Sequence, residues 1–247
     1  IHGCLVGSEM CIRDRPKLNA TPKHELVIPS TKKTIMFRPY LVKEEKILLM
    51  AFESQDEQTS MRAMLDTIDA CCEGDYVKED LTTFDIEYMF TQIRGKSVGE
   101  SIDLNVKCQE CDTQNEININ LSDIDIDVPD LDNVIELTDD ISLELKFPSF
   151  KAFTDNYKQG ITDSEFSFVV IKECIGAVVN GEERIDLKDV SDKEIEDFVD
   201  SLSTGQLQTI GNFVQQIPMM KKDVEFDCVK CGHQNLHKLE GIQSFFT

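Results

Sequence analysis

The sequence is short of the features that mark most enzymes and membrane proteins. It has no tryptophan and only four histidines in 247 residues. No stretch approaches the roughly 18 consecutive apolar residues of a membrane-spanning helix, so we expect no membrane span. The motifs G-x-S-x-G, G-x-G-x-x-G and H-E-x-x-H are absent, as is the phosphate-binding P-loop. The sequence therefore predicts a protein that is not an enzyme.

Basic residues are also scarce. The chain has 25 Lys and Arg residues against 47 Asp and Glu residues, for a formal net charge of −22. A phosphate backbone is repelled by such a field unless a local basic patch overrides it. The basic pairs are Lys32-Lys33 and Lys221-Lys222. Binding of nucleic acid is therefore disfavoured.

The first fifteen residues do not read as part of a fold. Residues 6–15, VGSEMCIRDR, resemble the translation of a transposase-type sequencing adapter. We expect residues 1–15 to be an artefactual leader that does not belong to the natural protein, so Cys4 and Cys11 carry no meaning. Seven cysteines remain, and their number and spacing favour a reducing cytoplasm over a secreted disulfide framework.

Four of those seven cysteines lie in a motif that occurs twice. The frame C-x-x-C-x-x-Q-N begins at Cys108 and again at Cys228, and alternating apolar residues precede each copy. A two-residue gap lets a tight turn direct two thiolates at one ion. We predict that each copy is a strand, a knuckle and a return strand. The two knuckles are predicted to close on one structural zinc through Cys108, Cys111, Cys228 and Cys231.

Two other interpretations of the cysteine pairs stay open. They could be reduced turn cysteines of a duplicated hairpin that has lost its metal, or a disulfide-exchange site. His233 and His237 lie beside the second knuckle and could replace a lost ligand, although an exposed turn position is the favoured interpretation for His233. After the second knuckle the apolar alternation fails at Leu236–Leu239, so the sequence pattern supports this return strand less than the first.

The remaining pattern predicts an α+β fold with helical segments before and between the two C-x-x-C hairpins. A chain of this length buries roughly 70% of its unfolded surface in one unit. We expect residues 16–247 to form a single α+β domain, with a helical lobe at 148–218. Capping-box spacings at Thr82, Thr162 and Ser191 mark predicted helix starts.

Three further segments give specific expectations. Residues 41–53 form a predicted helix that buries Ile47, Leu48, Ala51 and Phe52 and exposes the charged run 43–46. A strongly apolar helix is predicted from Thr162 through Val178, as the most buried helix of the chain. The alternating Asp and Ile residues of 123–130 predict an edge strand protected by charge rather than a calcium loop, because the glycine and glutamate of that loop are missing.

One run resembles a known family. Ile28–Ser30, then Phe37–Ala51 with its sequence FRPYLVKEEKILLMA, followed by paired C-x-x-C knuckles, resembles the baseplate hub proteins of T-even contractile-tailed phages. The resemblance implies a non-enzymatic role as a hub subunit or a hub assembly factor. It implies other hub proteins as partners, and a location in the host cytoplasm during assembly or in the virion tail baseplate. The family is not defined by a metal site, so zinc is inferred from the cysteines alone.

Two other functions fit parts of the sequence. A zinc-ribbon adaptor or transcription-type regulator would contact nucleic acid or polymerase through a basic patch at Lys221, Lys222 and Lys230. A thiol oxidoreductase would need a cysteine of low pKa in one pair. The sequence also leaves open whether the protein forms a homo-oligomer.

Overall fold

Helices and strands alternate along the chain. A computed structural model describes residues 22–54, 56–124, 126, 128–129, 133–156 and 162–246. The strands are β1 (His24–Val27), β2 (Thr34–Phe37), β3 (Cys72–Glu73), β4 (Ser101–Lys107), β5 (Gln114–Asn120), β6 (Val134–Glu136), β7 (Ile141–Leu145), β8 (Ile175–Asn180), β9 (Glu183–Asp186), β10 (Lys221–Asp227) and β11 (Gln234–Glu240). The helices are α1 (Val42–Glu53), α2 (Glu57–Cys71), α3 (Thr83–Val98), α4 (Phe150–Asn156), α5 (Asp163–Cys174), α6 (Asp192–Asp200), α7 (Thr204–Val214) and α8 (Gln243–Phe246). The predicted α+β class is confirmed.

The order of these elements runs through the chain twice. Each half has an antiparallel hairpin, two helices and a strand that follows the second helix without a loop, at Cys71–Cys72 and again at Cys174–Ile175. A short 3-10 turn, at least one helix and a C-x-x-C hairpin then complete each half. The second half adds β9, a second helix after its 3-10 turn, and the short terminal helix α8. The repeated order places the two knuckles at equivalent points of their halves.

Two clusters of buried side chains form the core. The first joins the β1–β2–β3 sheet to α1, α2, α3 and both C-x-x-C hairpins, and the second lies between the β6–β7–β8–β9 sheet and helices α5, α6 and α7. Phe147 and Ile217 contact both clusters. Phe147 lies edge-on to Phe84 and stacks on Phe213, each at a centroid distance of 5.4 Å. Aromatic packing therefore joins the two halves of the core.

Helix α3 is the central element of the first cluster. Its start is the predicted capping box, in which Thr82 accepts from the Asp85 amide and Asp85 accepts from Thr82 in return. The same carboxylate, fully buried, also accepts from the backbone and hydroxyl of Ser30 at 2.9 and 2.6 Å. One side chain thus begins the helix and holds the turn after β1 against it. The capping boxes predicted at Thr162 and Ser191 are confirmed as well.

The long apolar helix predicted from Thr162 through Val178 is wrong in its second part. Helix α5 ends at Cys174, and Ile175–Asn180 is strand β8, paired with β7. β-branched residues favour the strand, and a Cβ at Gly176 would lie 3.1 Å from the Glu144 carbonyl oxygen, so glycine permits the close pairing. The predicted helical stretch 148–218 therefore contains β8 and β9. Among described residues α3, not α5, holds the most buried positions of any helix.

The predicted faces of α1 are partly wrong. Leu48 and Ala51 are buried as expected, but Ile47 is 56% exposed. Glu44, expected on a solvated face, is only 4% exposed because its carboxylate accepts hydrogen bonds from Arg38 and from the Leu41 amide. Helix α1 packs on α2 through a narrow face and leaves much of its apolar surface outside.

The acidic segment 123–130 is also corrected where it is described. Asp123 is the last residue of a 3-10 turn that begins at Leu121, and no strand is assigned to the described part of the segment. Ile124 and Ile126 point into the first cluster at 2% and 7% exposure, so the apolar half of the alternation is real. Asp125, Asp127 and Asp130 lie outside the described residues. In the described parts of the chain, no helix combines the length and the apolar character needed to cross a membrane.

Candidate metal centre

The two C-x-x-C hairpins are built alike. Strands β4 and β5 pair in antiparallel fashion from Ser101–Asn120 to Lys107–Gln114, and β10 and β11 pair from Lys221–Glu240 to Asp227–Gln234. The predicted strand, knuckle and return strand are confirmed for both copies. Each residue of the first hairpin has its counterpart at one constant spacing along the chain in the second.

The second return strand forms even though its apolar alternation is broken. The burial pattern of β11 is the same as that of β5, with Asn235, His237 and Leu239 on the inner face. Leu236 points outward and is 46% exposed. The apolar alternation failed because His237 occupies an inner position and Leu236 an outer one. His237 stacks on Phe226 and its Nε2 lies 2.8 Å from the Lys107 carbonyl oxygen, so it joins the two hairpins.

Each knuckle is a tight turn closed by backbone hydrogen bonds. The Cys108 amide donates to the Thr113 carbonyl at 2.9 Å, and the Asp112 amide donates to the Cys108 carbonyl at 3.0 Å. Asp112 has φ of +54° and its counterpart Gly232 has φ of +69°. Glycine and, less readily, aspartate adopt this left-handed conformation. The turn directs both sulfurs of a pair to the same side.

The two knuckles bring all four predicted ligands together. The Cys108 and Cys231 sulfurs lie 3.7 Å apart, those of Cys111 and Cys228 lie 3.6 Å apart, and all four lie within 4.8 Å of one another. Zn–S bonds of about 2.3 Å place tetrahedral sulfurs about 3.8 Å apart, so this donor set fits zinc. A disulfide requires about 2.05 Å. The distances fit a thiolate metal site better than a disulfide.

The electrostatics of the four sulfurs are uneven. The pKa of Cys228 is lowered to about 6, chiefly because the Cys231 and Lys230 amides donate to its sulfur. The amide of His233 favours the Cys231 thiolate, but burial and the neighbouring sulfurs raise the pKa of Cys231 to about 12. Cys228 ionises easily, and its charge then opposes ionisation of Cys231. A divalent cation among the sulfurs would remove that conflict.

The asparagine that ends each motif crosses to the other hairpin. Asn115 Oδ1 accepts from the Val229 amide at 2.9 Å, and Asn235 Oδ1 accepts from the Gln109 amide at 2.8 Å. Both asparagines are 3% exposed, and each also donates to a carbonyl of its own knuckle. In each knuckle, the amide of the residue that follows the first cysteine therefore donates to an asparagine of the opposite hairpin. The sequence shows the shared Q-N pair but did not predict this role, for which an asparagine repeated at the same place in both motifs was the available signal.

The other histidine and the other cysteines are outside the cluster. His233 is exposed in its turn, as expected. The described cysteines Cys71 and Cys72 are buried next to each other in the first apolar cluster, and Cys174 is buried in the second. Burial raises the pKa of these thiols to about 11, 12 and 12 in that order, so they are poor nucleophiles.

Comparison with known proteins gives one consistent result. A model of the family described as T4 bacteriophage base plate protein matches residues 21–247. The chain is similar to "Baseplate hub assembly protein gp26" of Enterobacteria phage T4, with 24% identity over 168 residues that cover 68% of this chain and 74% of that protein. No solved structure matches the chain significantly. The region that the family model matches includes both C-x-x-C hairpins and the run from Phe37 to Ala51.

Proposed function

This chain belongs to the T4 bacteriophage base plate protein family, and on that premise we propose that it builds the hub of a phage tail baseplate by binding other hub proteins. The match over residues 21–247 carries this proposal. The role is structural or assembly-related and involves no enzymatic activity. The name of the T4 relative, a hub assembly protein, supports a role during assembly. We propose the host cytoplasm as the place of that role, with the finished tail baseplate as the other location.

The proposed partners are the other hub proteins of the same phage. Co-expression of the full chain with the remaining hub proteins, followed by purification through a tag on this chain, tests the proposal. We expect a defined complex that survives moderate salt. If the chain purifies alone under these conditions while the other hub proteins associate with one another, the assembly role is refuted.

We further propose that Cys108, Cys111, Cys228 and Cys231 hold one structural zinc ion. The sulfur distances, the knuckle turns and the low pKa of Cys228 support a thiolate site. Four protein ligands leave no coordination position for a substrate, so the ion would be structural rather than catalytic. It would join segments from the two halves of the chain. Apparent zinc binding linked to folding contributes on the order of 10 kcal/mol in small domains.

Metal analysis of the purified protein tests the zinc proposal. We expect one zinc per chain, and we expect Cys108→Ser and Cys231→Ser to lose it and to melt at a much lower temperature. Cys174→Ser is the control for zinc content, because Cys174 lies in the second apolar cluster away from the four ligands and this variant should keep its zinc. Wild-type protein that contains no zinc after expression in zinc-supplemented medium would refute the proposal.

The regulator and oxidoreductase alternatives have less support. Exposed Asp223, Glu225 and Asp227 alternate along one face of β10, which places negative charge where a regulator would need a basic patch. Lys222 directs its ammonium at the Asp123 carbonyl. An exchange site needs two cysteines of one pair free to form a disulfide, whereas here each sulfur has its close neighbour in the opposite hairpin.

A further inference from the structure

Helix α1 presents apolar side chains to solvent along its outer face. Val42 is 64% exposed, Leu49 is 56% exposed and Met50 is 72% exposed. They lie opposite the narrow face that packs on α2 through Leu48 and Ala51. Scattered exposed apolar residues are ordinary, but a group of them on one helix marks an interaction surface.

This helix is held firmly, so its outer face is a fixed surface. The buried carboxylate of Glu44 accepts from the Leu41 amide and from Arg38 Nη2, each at 2.9 Å. The same Arg38 nitrogen donates to the Ala70 carbonyl near the end of α2 at 2.9 Å. These bonds attach the first turn of α1 to α2 and fix the direction in which its apolar residues point.

The charges on the outer face are arranged so that the face complements itself. Lys46 and Glu53 lie two helical turns apart on the side of Val42, with Leu49 and Met50 between them. Neither Lys46 nor Glu53 forms an ion pair with any described residue. If a second α1 runs antiparallel across the first, Leu49 meets Met50 of the other copy. Lys46 then meets Glu53 of the other copy, and this pair occurs twice.

We propose that the outer face of α1, formed by Lys46, Leu49, Met50 and Glu53, binds the same face of a second copy of this chain in an antiparallel two-fold contact. An isologous contact needs a self-complementary patch, and the alternation of one cation, two apolar residues and one anion provides it. Because α1 has only 12 residues, the contact is small and the dimer is weak. The net charge of −22 also opposes association, so added salt should strengthen the dimer overall.

Charge reversal tests this geometry directly. Sedimentation velocity of the full chain at moderate ionic strength, over concentrations from micromolar to near millimolar, should show a monomer–dimer equilibrium. Lys46→Glu and Glu53→Lys should each raise the dimer dissociation constant about tenfold, because each variant places like charges opposite one another twice. A mixture of the two variants should associate like the wild type, since each variant supplies the charge that the other lacks. The double variant should also associate normally.

The controls separate this contact from general charge effects. Lys188→Glu and Glu182→Lys change exposed charges by the same amounts on the other half of the chain and should leave association unchanged. Circular dichroism of every variant checks that the fold is intact. A wild-type protein that stays monomeric throughout the range overturns the proposal and assigns the face to a different protein. A mixture of the two variants that fails to associate also overturns it, because the antiparallel pairing requires that rescue. The proposal stands or falls independently of the hub role and of zinc.

Discussion

Replacing Asn115 by alanine should loosen the joint between the two C-x-x-C hairpins. In the native protein its Oδ1 accepts from the Val229 amide at 2.9 Å, and its Nδ2 donates to the Thr113 carbonyl at 2.7 Å. Alanine removes both bonds. The Val229 amide then has no acceptor, because the buried Asn115 side chain, 3% exposed in the native protein, no longer reaches it.

The size of the effect follows from those two bonds. Each hydrogen bond contributes about 0.5–1.5 kcal/mol net, and alanine removes two of them. We therefore expect Asn115→Ala to lower the free energy of unfolding by about 1–3 kcal/mol. Asn235→Ala should cost a similar amount, because its amide makes the equivalent pair of bonds with Gln109 and His233.

Chemical denaturation of the single and double variants, with zinc and with a chelator, measures these costs. The two asparagines act on the same joint, so the double variant should cost less than the sum of the single variants. Zinc affinity, measured by competition with a chromophoric chelator, should fall about 10-fold to 100-fold in each single variant, as for other residues that orient metal ligands. Asn105→Ala, on an exposed position of β4, is the matched control.

Two outcomes would refute this reasoning. If Asn115→Ala costs no more than Asn105→Ala, the crossed hydrogen bonds do not stabilise the joint. If stability falls but zinc affinity does not, the asparagines hold the hairpins together without positioning the sulfurs.

Three further predictions concern groups away from the metal centre. Burial raises the pKa of Glu44, but hydrogen bonds led by that from Arg38 outweigh it and lower the pKa from 4.5. Glu44→Gln should therefore destabilise the protein by its full amount above about pH 4.5. The difference in unfolding free energy from the wild type should disappear as the pH falls through the lowered pKa of Glu44 in the folded protein. Urea denaturation at several pH values checks this. The buried Cys174, with its pKa raised to about 12, should stay unlabelled by a thiol reagent in the native protein even after chelation, and peptide mass spectrometry would detect the contrary. Asp85→Ala should lower the free energy of unfolding by about 3 kcal/mol or more, because Thr82 and Ser30 lose their buried acceptor. Thermal unfolding measures this loss, and replacing an exposed carboxylate by alanine should change it little.

Local signals in the sequence were enough for the local structures. The capping box at Thr82 and Asp85, the hairpin around Cys108 and the first strands all follow from spacings of a few residues. The same signals failed where a distant partner decided the outcome. Helix α5 ends at Cys174 because β7 is available to pair with Ile175–Asn180, and periodicity alone cannot distinguish a short buried strand from a helical extension.

The same distinction between local sequence signals and distant contacts applies to the candidate metal centre. The sequence by itself determined four cysteines in two tight turns, because a C-x-x-C turn is encoded within one short segment. Only the tertiary structure decided that Asn115 and Asn235 cross between hairpins, that His237 faces inward and that Glu44 is buried beneath the exposed face of α1. Each of these depends on which remote backbone amide, carbonyl or guanidinium comes within hydrogen-bond distance, and that approach is set by the packing of the two halves rather than by the spacing of residues along either one.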